Sequence, residues 1–147
     1  MTLKDRLLSD MRTAMKERDS FRKSVLSMVR AAILQIEKDK RTELDDRDVI
    51  EVLAKEVKSR REAIEMFRQG ERQDLIDKNE KEIEILGEYL PPQLSEAEIK
   101  EIIIDAINQT GAASFKDMGK VMGAVMPELK GRAEGSIVSR LVKELLQ

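Results

Sequence analysis

Apolar residues recur along most of the chain at spacings of three and four, the repeat of an amphipathic α-helix, and nowhere in the alternation of a strand. Leu3, Leu7, Met11 and Met15 predict a first helix, entered through Thr2 and Asp5, which resemble a capping box. Asp19 and Ser20 break the pattern and offer a new cap. Phe21, Val25, Met28, Val29, Ala32, Ile33 and Ile36 then form one stripe that fades in the charged run EKDKRTELDD. Asp45 is the expected N-cap of a third helix bearing Val49, Ile50, Leu53, Val57, Ile64 and Phe67, with a stop at Gly70. Pairs such as Glu51/Lys55 and Glu56/Arg60 are expected on its polar face. A fourth helix turns Leu75, Ile76, Ile83, Leu86 and Leu90 inward, and the short Gln69–Gly70 junction predicts an antiparallel hairpin of helices three and four.

The clearest boundary is YLPPQLSEAEI. Pro91 and Pro92 cannot continue a helix and force extended backbone before them. Ser95 with Glu98 then forms a capping box for a fifth helix, with Ile99, Ile102, Ile103, Ala106 and Ile107 running to a stop at Gly111. Ser114 with Asp117 repeats the logic for a sixth helix, whose buried stripe is Phe115, Met118, Val121, Met122 and Val125 and whose end is Pro127. Ile137, Val138, Leu141, Val142 and Leu145 define the last helix. The expectation is an all-α protein in two parts. Residues 1–91 make an N-terminal domain of about four helices in helical hairpins, and residues 92–147 make a small C-terminal three-helix domain.

Composition narrows the chemistry. The 147 residues contain no Cys and no His, which removes thiolate nucleophiles, disulfides, and the commonest general base and metal ligand. Glu80, Glu84 and Glu88 stack at i, i+4, but the di-metal bundles that use such carboxylates also need Glu-x-x-His. Neither a metal nor a cofactor is expected, and no catalytic constellation stands out. The net charge is only −2, yet its distribution is uneven. Residues 1–41 hold 11 cations against 6 anions, residues 42–90 hold 9 against 15, and residues 114–143 hold 6 against 3. Solvated helix faces account for most charge of this kind. No apolar run approaches the ~20 residues that span a bilayer, and MTLKDRLLSDMRTAMK has no cleavable signal pattern. A cytoplasmic protein is the expectation, with an organelle matrix as the other aqueous setting.

The stretch from Ser114 to Lys143 combines positive charge with four of the seven glycines. At 100° per residue, the apolar residues of the sixth helix fall within about 60° of Met118, while Lys116, Gly119, Lys120 and Gly123 fall between roughly 100° and 200°. An interior glycine costs about 1 kcal/mol relative to alanine, so two on one polar strip need a reason. One is close packing of another helix. The other is close approach of a ligand backbone, phosphate above all, met by the two lysines. Gly119-Lys120 is not a P-loop, because Ser114 stands where the first glycine belongs and Val121 replaces Ser/Thr.

The run DMGKVMGAVMPELKGRAEGSIVSRLVKELL, the hinge EYLPPQLS and the upstream AKEVKSRREAIEMF resemble the YqeY family over essentially the whole chain. The part after Pro92 is similar to the tail of the B subunit of tRNA-dependent amidotransferases (GatB), through Gly119, Val121 and Met122, Lys130-Gly131-Arg132-Ala133, then Val138 and Leu141. The resemblance implies a helical N-terminal domain, a tRNA-associated tail, and a family label of carbon–nitrogen ligase activity with glutamine as amido-N-donor. It gives no catalytic residue in this chain. With it, Lys116, Gly119, Lys120, Gly123, Lys130, Gly131, Arg132 and Arg140 become a candidate RNA-binding set, for tRNA or a tRNA-processing protein complex. A helical protein–protein adaptor with no RNA role is the other reading. Scarce aromatics favour recognition of shape and phosphate over base stacking.

Overall fold

Oxygen atoms placed just before the helices decide where most elements begin. In a computed structural model describing residues 1–147, the chain forms α1 (Leu3–Lys16), α2 (Ser20–Lys40), α3 (Asp46–Gln69), α4 (Gln73–Gly87), α5 (Glu96–Thr110), α6 (Met118–Leu129) and α7 (Gly135–Leu146). One 3₁₀ turn, Phe115–Asp117, leads into α6, and there is no strand. Thr2, Asp45 and Ser95 start α1, α3 and α5 through complete capping boxes with Asp5, Asp48 and Glu98. Asp19 starts α2 by accepting from the Arg22 N–H at 3.0 Å. No helix is long and apolar enough to cross a membrane.

Around α6 the expectations need correction. The Ser114 hydroxyl caps nothing; Asp117 instead accepts from the Ala113 N–H at 2.9 Å, and the segment winds into the tighter 3₁₀ turn. Phe115 therefore leaves the buried stripe and stands 53% exposed. Pro127 lies inside α6 rather than ending it. In the final turn its missing N–H forfeits only the bond to the Gly123 carbonyl, and α6 stops soon after, at Leu129.

The chain resolves into two compact units, Met1–Leu90 and Pro91–Gln147. In the first, α1 packs on α2 and α3 on α4 across short turns. Leu7, Leu26, Val29, Leu53 and Leu86 lie at its centre with essentially no exposure. Steps of four residues drift by 40° each on a 3.6-residue helix, so a stripe extended by fours leaves the core. Met15 is accordingly 52% exposed, and Ala14 is buried in its place. Met28, also assigned to a core stripe, is 50% exposed.

The second unit closes α5, α6 and α7 around Ile103, Val121, Val125, Leu129, Leu141 and Val142. Full burial of a side chain of this size stabilises by roughly 1.5–3 kcal/mol, which is enough to give the short helices a shared core. Gly111, at φ +71°, ends α5 in the left-handed conformation open to glycine.

Candidate functional site

The site builds outward from α6. Val121, Val125 and Leu129 anchor one side of this helix in the core, and that anchoring turns Gly119, Lys120 and Gly123 to solvent. No heavy atom lies within 4 Å of where a Cβ at Gly119 or Gly123 would stand. Close helix packing, one of the two reasons for these glycines, is thus absent within the C-terminal unit. What remains is a strip of bare helix backbone.

Lys116 precedes the strip on the 3₁₀ turn and is exposed, as is Lys120. Asp117 is the local counter-charge. The Ala113 N–H above all, and the nearby Lys120 charge to a lesser degree, hold its carboxyl below the usual carboxylate range.

The second group, Lys130, Gly131 and Arg132, occupies the loop from α6 to α7. Gly131 is buried at φ +78°, and its carbonyl accepts from Gln93 Nε2 at 2.8 Å. It shapes the loop rather than offering surface. Arg132 is half-buried, and its carbonyl accepts from the Leu94 N–H at 2.9 Å. Glu98 is held below its ordinary range first by the Ser95 N–H and then by the Ser95 side chain, with the Arg132 charge adding to both. Lys130 is exposed.

Arg140 stands apart on α7. Its guanidinium donates to Glu96 Oε1 and, at 3.1 Å, to Glu144 Oε1, so its charge is already compensated within the fold. Of the eight residues picked from the sequence, Lys116, Gly119, Lys120 and Gly123 gather along one side of α6 and its entry turn. Lys130 and Arg132 follow at the other end of that helix.

One feature of the region was not foreseen from sequence. The N-terminus of α7 follows Glu134 with no side-chain cap and no acidic residue in its first turn, and Gly135 faces open space. The absence of Ser, Thr, Asp or Asn before GSIV was its only signal. Such a terminus carries partial positive charge and adds to the surrounding cations.

Residues 4–146 match the family model described as Yqey-like protein. The chain belongs to the YqeY family. A protein of Pyrenophora tritici-repentis named altered inheritance of mitochondria protein 41, mitochondrial, is 28% identical over 144 residues, covering 96% of this chain and 79% of that protein. A Kluyveromyces lactis protein of the same name is 31% identical over 152 residues, covering 96% and 82%. The C-terminal part is similar to a Methanobrevibacter smithii protein named as a glutamyl-tRNA(Gln) amidotransferase subunit, at 47% identity over 58 residues. That match covers 37% of this chain but only 9% of the much longer archaeal protein.

These relatives correct the cytoplasmic expectation. The full-length ones are named as mitochondrial proteins and point to mitochondria instead. Charge balance and the lack of an apolar span do not distinguish one aqueous compartment from another, which is why composition pointed to the wrong one.

Proposed function

We infer that the chain is a tRNA-associated accessory protein whose C-terminal unit docks on the RNA backbone and supplies no catalytic group of its own. One observation carries the reading. The bare Gly119/Gly123 strip with Lys116 and Lys120 lies in the unit that is similar to a glutamyl-tRNA(Gln) amidotransferase subunit. Without side chains at 119 and 123, a sugar–phosphate backbone can approach the helix closely. The two lysines then meet its charge, and Lys130 and Arg132 extend the contact beyond the end of α6. Recognition of this kind reads backbone and shape rather than bases.

The mechanism is electrostatic. Each lysine or arginine that neutralises a phosphate releases counterions, so affinity falls steeply with salt. Four contacts of this kind give a log–log slope of roughly −3. Titrating labelled tRNA by anisotropy across a salt series tests the reading. Binding with that slope, and no preference among base sequences of the same shape, supports it. No binding even at about 50 mM salt, where such contacts are strongest, would overturn it in favour of a protein-binding adaptor.

A further inference from the structure

We propose that Gln93 is a positioning residue that locks the Lys130–Ala133 loop to the connector at Pro91–Pro92, so that docking at the loop is felt at the joint. The proposal rests on the reading of that loop as part of a tRNA-docking face, and concerns how the face is regulated.

Three observations carry it. Gln93 Nε2 donates both to the Pro91 carbonyl at 3.0 Å and to the Gly131 carbonyl at 2.8 Å, using its two amide hydrogens. The next residue, Leu94, donates its N–H to the next loop carbonyl, that of Arg132, at 2.9 Å. Two consecutive connector residues therefore hold two consecutive loop residues, and the Leu94 side chain packs on the C-terminal core.

The N-terminal side of the connector is held equally firmly. Glu88 accepts from Arg22 Nη1 at 2.6 Å through its carboxylate and from Arg6 Nη2 at 3.1 Å through its carbonyl. The Tyr89 hydroxyl donates to Asp10, and the Arg6 guanidinium lies 4.6 Å from the centre of the Tyr89 ring. Leu90 packs on the N-terminal core. Only Pro91 and Pro92 stand between the two clamps, and their rings fix φ, leaving ψ as the soft torsion at each.

The consequence is thermodynamic. A ligand that prefers the clamped loop favours the clamped connector by the same free energy, and stiffening the connector favours the ligand in return. Gln93 is the one side chain that touches both.

The test uses the full chain, which has no native cysteine. Spin labels at Ser24→Cys and Glu101→Cys, both exposed, report the distance distribution across the joint, with and without unfractionated tRNA. Gln93→Ala, and the near-isosteric Gln93→Glu that removes the donors, should broaden the distribution in the free protein. Amide exchange at Leu94 and Ala133 should quicken by roughly tenfold, the scale of one or two neutral hydrogen bonds, while the melting temperature holds. Added tRNA should narrow the wild-type distribution and bind both variants more weakly. A distribution and exchange pattern as tight in both variants as in wild type would overturn the clamp. Binding of tRNA with equal affinity to all three proteins, and no change in width, would overturn the coupling while leaving the docking reading intact. Failure of wild type to bind tRNA at all would remove that reading and the coupling together.

Discussion

Arg60 Nε donates to Glu82 Oε2 at 2.9 Å between α3 and α4, with Arg60 only 7% and Glu82 only 8% exposed. Arg60 also reaches Glu56 through Nη1 at 2.6 Å, so a single guanidinium serves two carboxylates. Removing one partner of a buried pair leaves the other desolvated and costs ~3–5 kcal/mol. Arg60→Met, which strands both carboxylates, should lie at the upper end, and Glu82→Gln, which leaves Arg60 its Glu56 bond, at the lower. The double Arg60→Leu/Glu82→Leu variant should recover part of the loss. Denaturant titration of the three variants measures the ordering; equal, negligible effects would deny the pair a structural role.

A second ion pair sets an acid response. Glu37 accepts from Lys4 Nζ at 2.6 Å and from the Leu44 N–H at 2.8 Å, and the Lys4 bond above all holds its carboxyl below the usual range. A folded-state pKa below the unfolded one means the stabilisation is present at neutral pH and lost as pH falls through the folded value. Asp5, Asp45 and Glu98, held low by their capping bonds, act with the same sign. Lys4 is shifted upward by the same pair, so its contribution fades only at strongly alkaline pH. Wild type should therefore lose more stability than Glu37→Gln between about pH 6 and pH 3, as measured by denaturant midpoints. Parallel losses in the two proteins would contradict this.

Helix positions were readable because three starts, at Thr2, Asp45 and Ser95, are written locally as an oxygen three residues before a matching carboxylate. Ser114 with Asp117 has the same spacing and fails, because Asp117 bonds backward to Ala113 instead. Local pattern alone cannot separate these outcomes. The Glu56/Arg60 pair was legible as an i, i+4 pair, but not its burial, which depends on Glu82 arriving from the following helix. Within the candidate face, the wheel placed Gly119 and Gly123 outside the core, while the openness of the space beside them required coordinates. The compensation of Arg140 by Glu96, 44 positions away, was invisible for the same reason.

Each of the two units has its own core, and we expect residues 1–91 and 92–147 to fold separately. A unit as small as the second buries little apolar surface and should be only marginally stable. Helical circular dichroism with a cooperative thermal transition from each fragment is the expected result. An unfolded C-terminal fragment would show that the division is one of shape and not of folding.

Isolated from any partner, the protein should neither hydrolyse glutamine nor amidate glutamyl-tRNA, since it offers no Cys or His and the match to the archaeal amidotransferase protein spans 9% of that protein. An ammonia-release assay on the purified chain checks this. Activity abolished by a point substitution in the chain would refute it.

The docking face is tested most directly at Gly123. Because no atom lies within 4 Å of a Cβ there, Gly123→Leu should fit without strain and even raise helix stability by about 0.5–1 kcal/mol, the usual penalty of an interior glycine. The same bulk should keep an RNA backbone from the strip. Lys120→Ala, by contrast, should weaken binding and flatten the log–log salt dependence by about one unit, the loss of one phosphate contact. The deciding measurement is a titration of unfractionated tRNA against wild type and Gly123→Leu, with a thermal melt of each. The docking account predicts lost binding in a variant that melts no lower than wild type. Wild-type affinity in that variant would contradict it.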